Sequence, residues 1–395
     1  MTSAPAPSKV LWVSCVGEKG GAEVYLLNFL RHLDRRRYTP AVVLLRPGAF
    51  ETDLKDADIE TFVLQRHRMR NLAAVARSIL QIRGLVRRHG VRLIHSNAFR
   101  GHTYGGLAAR FAGVPAVWSV HCPEVDGVST RVNLRIPVAS VTANCPRTAD
   151  WYAARRFPVN LIWPPVDLDR LQDRTPRSAL ASKYGLPVAG RWVGMASRLQ
   201  RYKGHEYLLR ATAALPASQR DVHVIIIGGA LFGMEEDYLD QLKALANQLG
   251  IADRAHFPGF VPDADLHGLV DGCEVMVHPA LDEDFGLIVA ESQALEKPVV
   301  AFASVGPAAI IQDGVTGRLV PVGDQEGLQR SLAGVLDLST ADRERLGRAG
   351  RERVQRLFAA PTAARRLEKI YDACLGGRPM SLDALRQPVI DDAGC

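Results

Sequence analysis

The chain has 395 residues, 47% of them hydrophobic and 23% charged, with a formal net charge of +7. That composition excludes disordered and collagen-like chains, no apolar run reaches the roughly 20 residues of a membrane-spanning helix, and the length suggests two or three domains. The six cysteines (Cys15, Cys122, Cys145, Cys273, Cys374 and Cys395) form no CxxC pair, which argues against a zinc cluster or a disulfide framework.

The start of the chain, MTSAPAPSKV, has no basic segment leading into an apolar core. No secretory signal is therefore expected, and a cytoplasmic location is. The charge is unevenly spread. Residues 1–187 carry 27 Lys/Arg against 14 Asp/Glu, and residues 188–395 carry 22 against 28. The basic half suggests an anionic partner.

In chain order, KVLWVSCV (9–16) is an apolar run that ends at glycine. In GAEVYLLNFLRHL (21–33), Val24, Leu27, Leu30 and Leu33 have helical spacing. PAVVLLR (40–46) reads as a strand. The stretch 72–90 is an amphipathic helix closing at Gly90, and 91–96, 116–121 and 140–145 are short strands. Continuous apolar strands alternating with helices predict a parallel sheet covered by helices. Prolines and glycines at 161–171 and 184–191 read as a linker, so the first domain is expected to span 1–187. A second series follows: strands at 192–199, 222–229, 255–260, 273–280, 298–302 and 317–321, with helices around 204–214, 235–249 and from 287. It predicts a second doubly wound domain over 188–360, with ligand sites at the carboxyl ends of its strands and in a cleft between the domains. Residues 379–395 read as a tail.

The chemistry concentrates at predicted strand ends. EDFGLIVAES (283–292) sets Glu283 and Glu291 around Phe285, Gly286 and Leu287. A helix opening there exposes amides that suit an anion, and Gly286 permits close approach of a ligand. Glu283 sits before the turn and Glu291 about 6 Å further along the helix axis than Leu287, so the two carboxylates suit different parts of one polar ligand better than one metal. SRLQRYKG (197–204) places Arg198 and Lys203 after the second domain's first strand, where two cations can hold a diphosphate. Gly20 and Gly21 form a tight turn before a helix but do not make the GxGxxG dinucleotide motif. His121 closes a strand. Each of these features alone is ordinary surface charge or structure. Four D-x-D triplets (56–58, 167–169, 263–265, 282–284) read as coincidence, and the arginine groups at 35–37, 66–70, 87–88 and 155–156 lack the interleaved aromatics of a nucleic-acid surface.

Taken together, Glu283 and Glu291 with FGL between them, SRLQRYKG, GGAE (20–23), His121 and GVTGRLVP (314–321) resemble the retaining glycosyltransferases of family four. The resemblance spans about residues 9–375. It implies a GT-B fold, two Rossmann-like domains, with a last helix at 361–375 returning to the first. It also implies a metal-independent, cofactor-free, retaining transfer from a UDP- or GDP-sugar to a glycan, glycolipid or small-molecule acceptor, in polysaccharide or glycoconjugate synthesis. By position, Arg198 and Lys203 would neutralise the diphosphate and Glu291 would hold the ribose. Glu283 with Phe285, Gly286 and Leu287 would hold the sugar and a phosphate. His121 would touch the sugar, Gly20 and Gly21 would lie near the phosphates, and Gly259, Phe260 and Val261 would meet the base. The chain departs from the family at Asp284, often Gly, and at PPVD (164–167), where NGVD is common. A GT-B epimerase or phosphorylase, or an inactive nucleotide-sugar-binding subunit, stands as the alternative. The arginine-bearing helix at 72–88 adds an expected contact with an anionic membrane surface.

Overall fold

The computed structural model describes residues 6–15, 17, 20–64, 71–123, 127–230 and 235–377. Arg66, Arg68 and Arg70, Cys395 and the tail from 379 lie outside the described residues. The chain divides into two compact units, one running to Pro165 and resuming at Ala360, the other spanning Val166–Ala359.

The first unit holds β1 (Ser8–Ser14), α1 (Gly21–His32), β2 (Tyr38–Leu44), α2 (Phe50–Asp56), β3 (Glu60–Val63), α3 (Leu72–Arg88), β4 (Val91–Asn97), α4 (Ala98–Ala112), β5 (Ala116–Val120), α5 (Val128–Asn133), β6 (Ser140–Ala143), α6 (Pro146–Ala153) and β7 (Val159–Leu161). Its seven strands form a parallel sheet in the order β3-β2-β1-β4-β5-β6-β7. The order reverses beside β1, the arrangement of a doubly wound sheet. Val10, Leu11, Trp12 and Val13 of β1 are all fully buried, because helices cover both faces. This is why the strand reads as one apolar run.

The second unit holds α7 (Arg177–Tyr184), β8 (Arg191–Ala196), α8 (His205–Ala213), β9 (Val222–Ile227), α9 (Tyr238–Gln248), β10 (Ala255–Gly259), α10 (Asp263–Gly272), β11 (Val275–His278), α11 (Leu287–Ala294), β12 (Val299–Phe302), α12 (Val305–Ile310), β13 (Arg318–Val320), α13 (Gln325–Asp337) and α14 (Thr340–Leu357). Its six parallel strands run β10-β9-β8-β11-β12-β13.

The last helix, α15 (Ala360–Leu375), belongs to the first unit. It buries Leu367, Ile370 and Tyr371 beside Trp12, Leu27 and Phe29. Each such side chain contributes about 1.5–3 kcal/mol. Arg37 bonds both Glu368 and Asp372 of α15, and the Tyr371 hydroxyl meets His95 Nδ1 at 2.6 Å.

The division between the units differs from the one read at residues 187 and 188. The segment carrying α7 is part of the second unit. Thr175, Lys183 and Tyr184 all donate to the buried Asp265 carboxylate of α10, and Arg177 donates to the carbonyls of Gly272 and Gly190. Asp265 and Gly272 lie more than 80 residues from their donors, so the Pro and Gly punctuation around 184–191 marks only a turn between α7 and β8.

Candidate active site

In the second unit the predicted residues gather at the carboxyl ends of β8 and β11. After β8 the chain turns through Arg198 and Tyr202 to Lys203, with Gly204 capping α8. Gly204 has φ +78, and a Cβ there would lie 2.0 Å from the carbonyl oxygen of Pro279. Only glycine allows this approach. It presses the 202–204 turn against the segment after β11, and Leu281 N donates to Tyr202 O at 2.8 Å.

That contact delivers Lys203 to Glu283, with Nζ 2.6 Å from Oε2. His278, the last residue of β11, places Nε2 3.0 Å from the same oxygen. Lys203 and His278 are 8% and 3% exposed. Burial by itself raises the Glu283 carboxyl pKa. The His278 hydrogen bond and the Lys203 charge outweigh it and hold the group well below the usual carboxylate range. Arg198 Nη2 donates to the Tyr202 hydroxyl at 3.1 Å, and Lys203 Nζ lies 4.9 Å from the Tyr202 ring. Arg198, Lys203 and Glu283 are thus linked through Tyr202.

Gly286 caps α11 at φ +83, beside the Glu283 side chain. Phe285 is buried against Phe358, and Gly306 N donates to Glu283 O, so α12 backs the loop. Leu287 opens α11, where first-turn amides favour negative charge. Glu291 is buried one turn further along α11. Gly259, at φ +76, leads to Phe260, whose ring packs on Gly229. Gly229 O accepts from Leu199 N, so the 259–261 loop stands next to the Arg198 turn. Behind Lys203, His205 Nε2 meets Ser197 Oγ at 3.0 Å. Burial pushes the His205 pKa down to about 3.

In the first unit, Gly20 caps α1 and Gly21 begins it. His121, directly after β5, holds Nε2 2.8 Å from Asn97 Oδ1, and Asn97 Nδ2 donates to Ala22 O at 3.3 Å. The Tyr25 ring meets His121 edge-on at 4.8 Å. The glycine turn and the histidine are therefore joined through Asn97 and Tyr25. Burial pushes the His121 pKa down to about 4, leaving a neutral ring at pH 7.

Tyr202, His205, His278, Asn97 and Tyr25 were not anticipated from the sequence. His278 and Asn97 each close a parallel strand, the same position that marked His121. The D-x-D carboxylates Asp263 and Asp265 serve packing: Asp263 pairs with Arg170 and Asp265 with Lys183.

Two doubly wound parallel-sheet units, with a cation–carboxylate cluster at the strand ends of the second, define the GT-B class of fold. Residues 19–170 match the model of Glycosyltransferase Family 4, and residues 177–353 match that of Glycosyl transferases group 1. The chain belongs to this glycosyltransferase family, and the two matches together span most of its length. It is 29% identical to a D-inositol 3-phosphate glycosyltransferase of Mycobacterium tuberculosis, over 77% of this chain and 68% of that one. Among solved structures it is similar to Anabaena HepE in complex with UDP and glucose, at 24% identity and TM-score 0.78, covering 93% of this chain and all of that one. It is also similar to a glycosyltransferase from Rickettsia africae, at 18% identity and TM-score 0.80, covering 93% and 99% of the two chains.

Proposed function

We propose that the chain transfers a sugar, with retained anomeric configuration, from a nucleoside diphosphate sugar to a hydroxyl of a glycan, glycolipid or small anionic acceptor, UDP-sugars being the favoured donors. The observation that carries this reading is the cluster after β8 and β11, where Lys203 and His278 converge on Glu283 beside Arg198 and the start of α11. Support for the donor comes from the UDP and glucose of HepE. Support for a charged acceptor comes from the inositol phosphate in the mycobacterial relative's name and from the basic first half of the chain.

In this reading Arg198, Lys203 and the α11 amides meet the charge that grows on the diphosphate as the sugar C1–O bond breaks. The acceptor oxygen bonds to C1 on the same face, and its proton passes to the departing phosphate oxygen. Glu283 orients the sugar hydroxyls and Glu291 the ribose. The 259–261 loop meets the base. The two cations do the neutralising that a metal does elsewhere, so activity is expected to persist in chelator.

The test is a screen of UDP-, GDP- and ADP-sugars for thermal stabilisation, followed by product analysis with labelled donor, with and without EDTA. Stabilisation by one donor class, with slow hydrolysis to free sugar, supports transfer. A strict need for Mg²⁺ or Mn²⁺ removes the metal-free scheme. Formation of an epimer or a sugar phosphate without acceptor installs the alternative enzyme class, and binding without turnover makes the chain a binding subunit.

The acceptor is further proposed to reside at an anionic membrane surface on the cytoplasmic side. Helix α3 carries no acidic residue. It exposes Leu72, Leu80, Arg77, Arg87 and Arg88, and a groove of about 520 Å³ is lined by Arg77, Leu80, Gln81, Gly84, Arg87 and Arg88. Among the described residues no helix is long and apolar enough to cross a membrane, so the contact is peripheral. Salt-sensitive co-sedimentation with phosphatidylglycerol vesicles, lost in R77E/R87E/R88E, is expected. Equal partitioning to neutral vesicles removes this part of the reading.

A further inference from the structure

Glu283 is held by two donors on one oxygen. Lys203 Nζ and His278 Nε2 both reach Oε2, at 2.6 and 3.0 Å, and Oε1 has no hydrogen-bond partner among the described residues. The two donors differ in freedom. Lys203 ends a flexible stem. His278 sits on β11, between β8 and β12, with its backbone registered against Ala301. Its Nδ1 is buried and has no hydrogen-bond partner among the described residues. A proton there would be a desolvated donor without an acceptor, so the arrangement defines the Nε2–H tautomer.

Resting on the proposed reaction, a donor diphosphate must compete with Glu283 for the Lys203 ammonium. If the lysine were the only donor, its departure would leave Oε2 buried and unsatisfied, or the lysine would stay and not serve the phosphate. We propose that His278 is a positioning residue for sugar transfer: its Nε2–H keeps Glu283 Oε2 in place while Lys203 turns to the diphosphate, and Oε1 stays presented to the sugar. The loops are already tied for such a hand-over. Leu281 N bonds Tyr202 O and Gly306 N bonds Glu283 O, so the main chain need not move. The other charged and titratable groups of this neighbourhood are Arg198 and Tyr202 on the turn that carries Lys203, His205, packed behind Lys203, and Asp282 and Asp284 on the same loop as Glu283.

The experiment compares His278→Leu with His278→Gln, whose side-chain amide carries an N–H to nearly the same point. With the donor found in the screen, donor hydrolysis by His278→Leu is expected to lose about tenfold to a hundredfold in kcat/KM, the range for one hydrogen bond to a charged group. His278→Gln is expected to recover to within about threefold. With its largest acid-stabilising partner gone, Glu283 in His278→Leu takes up a proton at higher pH, so the acid limb of its rate profile moves upward. The Gln profile overlays the wild type. Equal loss in both variants with an unmoved acid limb makes His278 a core residue only, and unchanged kinetics in both overturns the proposal outright. If the wild type hydrolyses no nucleotide sugar, the functional reading fails instead. In that event the histidine–glutamate bond is still read by ¹⁵N NMR of the imidazole in the free protein, where a protonated Nδ1, or no difference in the Nε2 signal on Glu283→Gln, overturns it.

Discussion

Gly204→Ala tests the contact that joins the two halves of the site. The residue has φ +78, where an L side chain costs about 1–2 kcal/mol, and its Cβ would stand 2.0 Å from the Pro279 carbonyl oxygen. That oxygen is backbone at the end of β11, so relief requires the 279–281 segment to shift, at a further cost of about 1–3 kcal/mol. The total is about 2–5 kcal/mol. Gly185→Ala is the matched control. It shares the second unit and the left-handed region at φ +63, but nothing lies within 4 Å of its Cβ. It should lose only the conformational part, about 1–2 kcal/mol. Urea-dependent hydrogen exchange of peptides from β8 and β11 measures both variants on the unit that carries them. Gly204→Ala should also weaken nucleotide binding, since the shift separates Lys203 from Glu283. If the two variants are equally stable within about 0.5 kcal/mol, the close approach carries no weight and the site is not held together this way.

Arg198→Ala is expected to lower donor turnover by about 10²–10³-fold, by analogy with lost oxyanion donors, while its melting temperature stays within about 2 °C of wild type. A turnover loss under about threefold would remove Arg198 from the chemistry. His102 and His205, pushed down to about 3, and His121, to about 4, are all shifted by burial and are neutral when folded. On unfolding they take up protons below their ordinary value near 6.5. Their stabilisation is therefore complete above about pH 6.5 and is lost as pH falls through the folded values; a urea midpoint that is flat from pH 7 to 5 would contradict this. Asp265 is raised by burial but held down to about 2 by its bonds from Lys183, Thr175 and Tyr184. Its contribution is present above about pH 4 and lost as pH falls through about 2, so Asp265→Asn should flatten the acid unfolding curve there.

Much of the sheet architecture was legible because the strands are buried on both faces and read as continuous apolar runs. Helix α4 was not. Gly101, Gly105 and Gly106 depress its helical propensity, yet a Cβ on Gly101 would stand 2.6 Å from Val13 O and one on Gly105 2.5 Å from Ser96 Oγ. Gly101 and Gly105 let the helix lie directly on β1 and β4, a tertiary gain that local sequence does not display. Helix α10 was missed in the same way, with Gly268 packed on Thr175 O. The unit boundary escaped because the Asp265 bonds that fix α7 span more than 80 residues. In the site, Arg198, Lys203 and Glu283 stood out as charges after strands, whereas His278, Asn97 and Tyr202 are single residues whose meaning lies in what they touch.

The second unit is one unbroken stretch whose ends meet: Val166 N bonds Phe358 O, and Val166 bridges Ala359. A ribosome therefore delivers every residue of the later unit before the earlier one receives α15. Until then the nascent amino-terminal sheet waits with Trp12 and Leu27 lacking their final cover. The unit that starts second is the first able to finish folding, and a transcript cut short before codon 360 yields a complete second unit beside an unfinished first.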